Sequence, residues 1–266
     1  INYIVANQLD DGGWDVSPKA SARVSTIDMT CMALYALAPY AKQTKDEKQR
    51  KAVKKAIDRG LQNLSDYQTA KGGFLYCGKS GDYTSESCAW AIMALTANGV
   101  NPNTDKRFIK NGNSVVDALL SFYDAEVGGF RHVNKASGSY EATVNQMSTE
   151  QAYYALAQYY KTVPTQASLT KAAKAGSGKV KVSWKKAAVN TDYVTKKSGK
   201  TAAVSGYQII LATDKKFSKN VKKVTVSGTK TLTKTVTGLK KGKTYYVKVR
   251  AYKTVNGKKL YGAYSA

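Results

Sequence analysis

Three cysteines, four prolines and a single histidine are all that 266 residues contain of these types. The cysteines, Cys31, Cys77 and Cys88, are odd in number, so no complete disulfide framework exists and a core must hold the chain. No apolar run is long enough to cross a bilayer. The start, Ile1-Asn2-Tyr3-Ile4, carries no initiator Met, basic flank or signal-peptide core, as expected of a mature or excised piece. Acids are scarce in one half only. From Pro164 onward there are 24 basic residues and two acids, Asp192 and Asp214, a net of +22; up to Val163 there are 18 basic and 16 acidic residues, a net of +2. The total of +24 therefore belongs to the second half, which excludes a uniformly basic DNA-coating protein.

What is present is enough for two domains. Hydrophobic residues make up 42% and charged residues 23% of a 28.8 kDa chain, a globular composition. Three Gly-Gly-aromatic turns recur, Gly12-Gly13-Trp14, Gly72-Gly73-Phe74 and Gly128-Gly129-Phe130, spaced by 60 and 56 residues. Their glycines suit positive-φ turns, with the aromatics plugging helix ends. After each turn comes an apolar segment opened by Ser or Thr and an acid: Thr26-Ile27-Asp28, Ser85-Glu86-Ser87-Cys88 and Ser148-Thr149-Glu150. Counted from the acid, Ala33, Ala91 and Ala155 fall at one position, which makes the segments copies. A hydroxyl and an acid suit a helix N-terminus. Amphipathic helices are expected between them, from about Lys45 to Leu64 and from Ser114 to Tyr123. The alternation implies an inner and an outer helical layer, with Asp28, Glu86 and Glu150 together at one rim.

Beyond Pro164 the period changes to two. Val180, Val182 and Trp184 alternate with Lys181, Ser183 and Lys185; Tyr207–Leu211, Val221–Val226, Thr231–Val236 and Tyr245–Ala251 continue as short strands. The expectation is an antiparallel sandwich with its lysines on the wet faces. The domain limits read as 1–163, a connector at 164–178, and 179–266.

The turns, the acid-opened Ala-rich helices and the stretch Met32-Ala33-Leu34-Tyr35-Ala36-Leu37-Ala38-Pro39-Tyr40 resemble the α/α toroid repeats of the prenyltransferase and squalene-cyclase type, in the version found in secreted Gram-positive proteins. A closed ring of that family has about six inner helices. Only three are found, so a longer chain or a second copy would supply the rest. The second half resembles a lysine-rich fibronectin type III domain in Val182-Ser183-Trp184, Gly206-Tyr207-Gln208-Ile209 and Leu239–Ala251, with Leu239 and Tyr245 forming the tyrosine corner and Trp184 the core aromatic. The implied fold is thus multidomain α and β, a partial toroid followed by an antiparallel sandwich.

These resemblances imply several chemistries. Family cyclases use the middle Asp of an Asp-x-Asp-Asp-Thr motif as general acid. Here the matching stretch is Thr26-Ile27-Asp28-Met29-Thr30, which keeps Asp28 and loses both flanking acids, so Asp28 reads either as a catalytic acid or as a helix cap. Protein prenyltransferases of this fold bind zinc through an Asp-x-Cys pair and a His. Glu86, Cys88 and His132 imitate that set only if the His132 loop folds over the rim, and no metal or other cofactor is expected. A cobalamin-type carrier is a further reading. Trp90 and Tyr153, with Tyr154, Tyr159 and Tyr160, could line a ligand cavity or the core. The expectation is a non-enzymatic, secreted or wall-associated binding or adhesion protein. Its ligand meets Asp28, Glu86, Glu150, Trp90 and Tyr153 at the toroid rim. Diffuse lysine with a single arginine, Arg250, disfavours nucleic acid and suits an anionic wall polymer or lipid surface.

Overall fold

The computed structural model describes residues 1–17, 24–136, 138–189, 202–255 and 257–266; Asp192 lies outside them. The chain divides into two compact units, Ile1–Tyr159 with Val255–Lys258, and Tyr160–Thr254 with Lys259–Ala266. It combines helices with antiparallel sheets.

The first unit holds α1 (Asn2–Ala6), α2 (Ile27–Leu37), α3 (Tyr40–Gln43), α4 (Glu47–Tyr67), α5 (Ser85–Ala97), α6 (Val115–Leu120) and most of α7 (Gln146–Thr162). Short hairpins intervene: β1 (Leu75–Cys77) with β2 (Ser80–Tyr83), β3 (Ile109–Lys110) with β4 (Asn113–Ser114), and β5 (Tyr123–Asp124) with β6 (Gly129–Phe130). The α4 helix starts where Asp46 Oδ1 accepts the Gln49 N–H at 3.0 Å and Glu47 complements the dipole. It buries Val53, Ala56, Ile57, Gly60, Leu61 and Leu64, one helical face, and leaves its lysines wet. Gly60 is required by packing, since a Cβ there would lie 2.9 Å from both Leu34 Cδ2 and Trp14 Cζ3. The α6 helix opens on a reciprocal capping box between Ser114 and Asp117. The α2 helix packs against α4 and α5, and α5 packs against α6. The α5 helix is buried on nearly all sides, which explains its uninterrupted apolar sequence.

The repeat has a hydrogen-bonded skeleton. Gly12, Gly72 and Gly128 have φ of +89°, +87° and +77°, as the turns demand. Trp14, Phe74 and Phe130 are buried, each contributing on the order of 2 kcal/mol. The aromatic residue's N–H points at a side chain in the first turn of the next long apolar helix: Trp14 to Thr30 Oγ1 (3.0 Å), Phe74 to Cys88 Sγ, and Phe130 to Thr149 Oγ1 (2.9 Å). Backbone pairing agrees, with Thr26 N donating to Trp14 O and Asn145 N to Phe130 O. By this register Thr30, Cys88 and Thr149 are equivalent. Asp28 and Glu86 are then equivalent to Met147, and not to Glu150. The expected alignment on the acid was displaced by three residues in the third copy.

The second unit contains β7 (Leu169–Lys174), β8 (Val180–Trp184), β9 (Ala188–Val189), β10 (Ala202–Ala203), β11 (Gly206–Ala212), β12 (Lys222–Ser227), β13 (Thr233–Val236), β14 (Tyr246–Val255) and β15 (Lys258–Tyr261). One sheet runs β12-β11-β14-β15 and another β13-β8-β7, all antiparallel, beside the small pair β10-β9. A single core of Val182, Trp184, Tyr207, Ile209, Val236 and Val249 joins residues of both larger sheets. The central strand β11 is buried throughout. The Tyr207 hydroxyl accepts the buried Ala187 N–H at 3.1 Å, and Tyr245 OH accepts the Lys240 N–H at 3.1 Å. The stretch 164–178 is not simply a connector. It contains β7, which pairs with β8 through backbone bonds that its Ala/Lys composition does not advertise; edge strands tolerate such composition.

Candidate functional site

Two of the three expected rim acids come together through the N-terminal turns of α2 and α5. Thr84 caps α5, accepting the Ser87 N–H at 3.3 Å and donating its own hydroxyl to Ser87 Oγ at 3.0 Å. Ser87 in turn donates to Asp28 Oδ1 at 2.7 Å, crossing from α5 to α2. Burial pushes the Asp28 carboxyl above the usual carboxylate range; the Ser87 bond pulls the other way, the nearby Glu86 charge adds to the rise and His132 opposes it.

Glu86 is buried and fully engaged. Its Oε1 accepts the Ser148 hydroxyl at the start of α7, and its Oε2 lies 2.7 Å from His132 Nδ1. Facing a carboxylate oxygen, Nδ1 carries the ring proton. The loop is held a second time, by Ser85 N donating to His132 O at 3.1 Å, and the imidazole packs 4.4 Å from the Tyr140 ring. One carboxylate thus ties together α5, α7 and the loop that follows the third glycine turn.

Glu150 does not join this cluster. It is exposed, as the three-residue register shift requires, and borders a shallow depression with Gly129 and Asn145. Cys88 faces away from Glu86 and His132, toward Gly73 and the Phe74 N–H; full burial pushes its thiol up to about 12. Turned toward Gly73 and the Phe74 N–H, the Cys88 thiol does not converge with Glu86 and His132 into a zinc set. Among the described residues no group of three His, Cys, Asp or Glu side chains could hold a metal ion. Cys31 is likewise buried with its thiol pushed well up.

The aromatics divide. Tyr159 is buried and Trp90 half-buried, whereas Tyr153 and Tyr154 are exposed. Tyr153 OH donates to Gly128 O at 3.1 Å and its ring meets Phe130 edge-on at 5.5 Å, so it braces the third turn. Tyr154 hydrogen-bonds Tyr35 of α2. With Met32 and Met147 also exposed, α2 and α7 present an aromatic and thioether surface to solvent.

No protein-family model matches this chain, and no curated protein matches it. Among solved structures it is similar to the FN1–FN3 domains of chicken CNTN1, at 29% identity over 39% of this chain and 29% of that one, with a TM-score of 0.25. It is also similar to the FN5 domain of Drosophila Lar, at 24% identity over 39% of this chain and 89% of that one, with a TM-score of 0.25. These neighbours are fibronectin type III domains.

One residue at the first turn escaped the sequence reading. Asp11 accepts from Gly13 N at 3.0 Å, Ser25 Oγ at 2.7 Å and Tyr67 OH at 3.1 Å. Burial alone would raise its carboxyl, but these hydrogen bonds outweigh burial and hold it below the usual range. Asp11 is a turn-fixing acid. A second signal was visible: Gln8 and Gln68 each sit four residues before a turn glycine and donate to its carbonyl at 2.8 and 2.7 Å. The Gln-x-x-x-Gly-Gly spacing marks the first two copies as strongly as the aromatics do.

Proposed function

We propose that this chain is a non-enzymatic binding protein of a bacterial cell surface. In this reading the helical unit is an incomplete toroid of the prenyltransferase and squalene-cyclase type with a ligand-contacting rim at Asp28, and the sandwich is a fibronectin type III domain whose lysines meet an anionic wall polymer. The α2, α5 and α7 helices act as inner helices, α4 and α6 as outer ones. The three-on-four antiparallel sheets and the Lys240–Tyr245 bond support the fibronectin assignment.

The observation that carries the non-enzymatic reading is the bond from Ser87 to Asp28. A general acid needs partners that stabilise its protonated form, and a hydroxyl donating to the carboxylate stabilises the ionised one. Glu86 is committed on both oxygens. The upward push on Asp28 favours a second reading, a polyprenyl cyclase or transferase relative with Asp28 as proton donor.

The two readings part in two assays. The chain is expected to co-sediment with purified Gram-positive cell walls, less so as salt rises and after the phosphate polymers are stripped from the wall. It is expected to leave polyprenyl diphosphates unchanged. Turnover that disappears in Asp28→Asn would establish the enzyme instead, and walls left unbound at low salt would remove the surface reading.

A further inference from the structure

Pairing separates the lysines of the sandwich into two kinds. Lys222 Nζ donates to Thr237 O at 2.6 Å and Lys253 Nζ to Ala203 O at 2.9 Å, so these ammonium groups serve the fold. At one end of the unit, Lys174, Lys179, Lys240 and Lys243 line a cleft of about 460 Å³. Among the described residues their ammonium groups make no ion pair or hydrogen bond. All four side chains are exposed, and no acid lines the cleft. Asp214, the only described acid of this unit, is occupied by Ser218 N, Ser218 Oγ and Lys219 N in its own turn.

The cleft is built by the fold. Lys174 ends β7, Lys179 precedes β8, and Lys240 and Lys243 flank Gly242 on the segment that Tyr245 OH pins through Lys240 N. Leu239 N donates to Gly178 O at 3.1 Å, joining the two segments. Gly178, at φ +64°, has no room for a side chain, since a Cβ would lie 2.7 Å from Leu239 O. The Gly176-Ser177-Gly178 turn therefore keeps one wall low. Four cations on three chain segments around a concavity form a positive well in which the field adds up.

We infer that this cleft binds successive phosphate groups of a flexible phosphodiester polymer; the inference rests on the cell-surface reading above and names the place of contact. A concavity admits a thin chain and not a planar bilayer. Tyr245 is its only lining aromatic, too few for a run of stacked bases, and no arginine lines it, so bidentate base recognition has no group to use. Lysine as a point charge is sufficient for phosphate.

The test uses the full chain and two charge-matched double variants. K240E/K243E reverses two cleft lysines; K215E/K216E reverses two exposed lysines in the turn around Asp214, with the same change in net charge. Affinity for inorganic polyphosphate and for poly(glycerol phosphate) is measured by calorimetry at several salt concentrations, with thermal melting as the check on folding. The expectation is a loss of about tenfold or more, with a shallower salt dependence, in K240E/K243E, and a loss within about threefold in K215E/K216E. K174Q/K179Q, which approaches the cleft from the other wall, is expected to lose affinity as well. Equal losses in the two reversal variants would overturn the cleft while leaving polyanion attraction by the whole unit intact. Tighter binding of phosphatidylglycerol vesicles or single-stranded DNA than of the polymers would also overturn it. A wild-type chain that binds neither polymer nor cell wall would remove the cell-surface reading together with the cleft.

Discussion

The two units hold opposite electrostatic economies. In the helical unit acids and bases nearly balance, and the acids that matter are committed to the unit's own hydrogen bonds: Asp11 fixes the first glycine turn, Asp117 caps α6, and Glu86 joins α5, α7 and the His132 loop. In the sandwich acids are almost absent, and most of the described lysines are exposed. Net charge is therefore a poor guide to where charge acts. A nearly neutral unit can depend on its carboxylates for its shape, and a +22 region can fold without using most of its cations.

The sharpest way to break this contrast is steric. Gly73→Ala would place a Cβ 2.4 Å from Tyr83 OH and 2.7 Å from Cys88 Sγ, and is expected to cost roughly 2–4 kcal/mol in the helical unit. Gly242→Ala on the sandwich, with nothing within 4 Å but φ at +70°, is expected to cost only about 1 kcal/mol. Chemical denaturation followed by tryptophan emission measures both; equal costs would mean that the glycine turns do not organise the helical unit. Next in size, Tyr207→Phe leaves the buried Ala187 N–H unpaired, and a loss of about 1–2 kcal/mol confined to the sandwich is expected from hydrogen exchange.

The repeat was legible in the sequence because its Gly-Gly-aromatic turns are fixed by φ and by close approach, which only glycine satisfies. Its third copy was misaligned for an equally physical reason. The register is set by a side chain that receives the aromatic N–H, and Cys88 stands there in place of threonine, so the eye falls on the acids instead. Asp28 and Glu86 were found as a pair because they share a position in two helices. Their serine partners were not: Ser87 and Ser148 share a repeat position, one residue before Cys88 and Thr149, but alignment on the acids separates them, and they meet Asp28 and Glu86 only across helix gaps. On the sandwich, alternation exposed the core strands, while β7 was hidden by alanine and lysine.

Titration offers smaller and finer tests. Asp11 is held below its ordinary pKa in the fold, so its contribution is present above the unfolded carboxylate range and is lost as pH falls through the folded value. Asp11→Asn is expected to lower the melting temperature modestly at neutral pH, with the gap to wild type closing in acid. Asp28 has the opposite sign. Its folded pKa is raised, so its ionised form at neutral pH weakens the fold, and Asp28→Asn is expected to raise the melting temperature slightly at neutral pH and not in acid. A lower melting temperature at neutral pH, with the gap closing in acid, would mean that the Ser87 bond outweighs burial.

The central claim is that hydrogen-bonded carboxylates shape one unit and exposed lysines decorate the other, and acid separates them most directly. Lowering the pH from about 7 to about 3 protonates groups that are nearly all in the helical unit. Amide NMR spectra of the full chain at the two pH values should show helical-unit resonances shifting and losing dispersion while those of β8, β11 and β14 stay dispersed. Loss of the sandwich signals first, or of both sets together, would contradict the account.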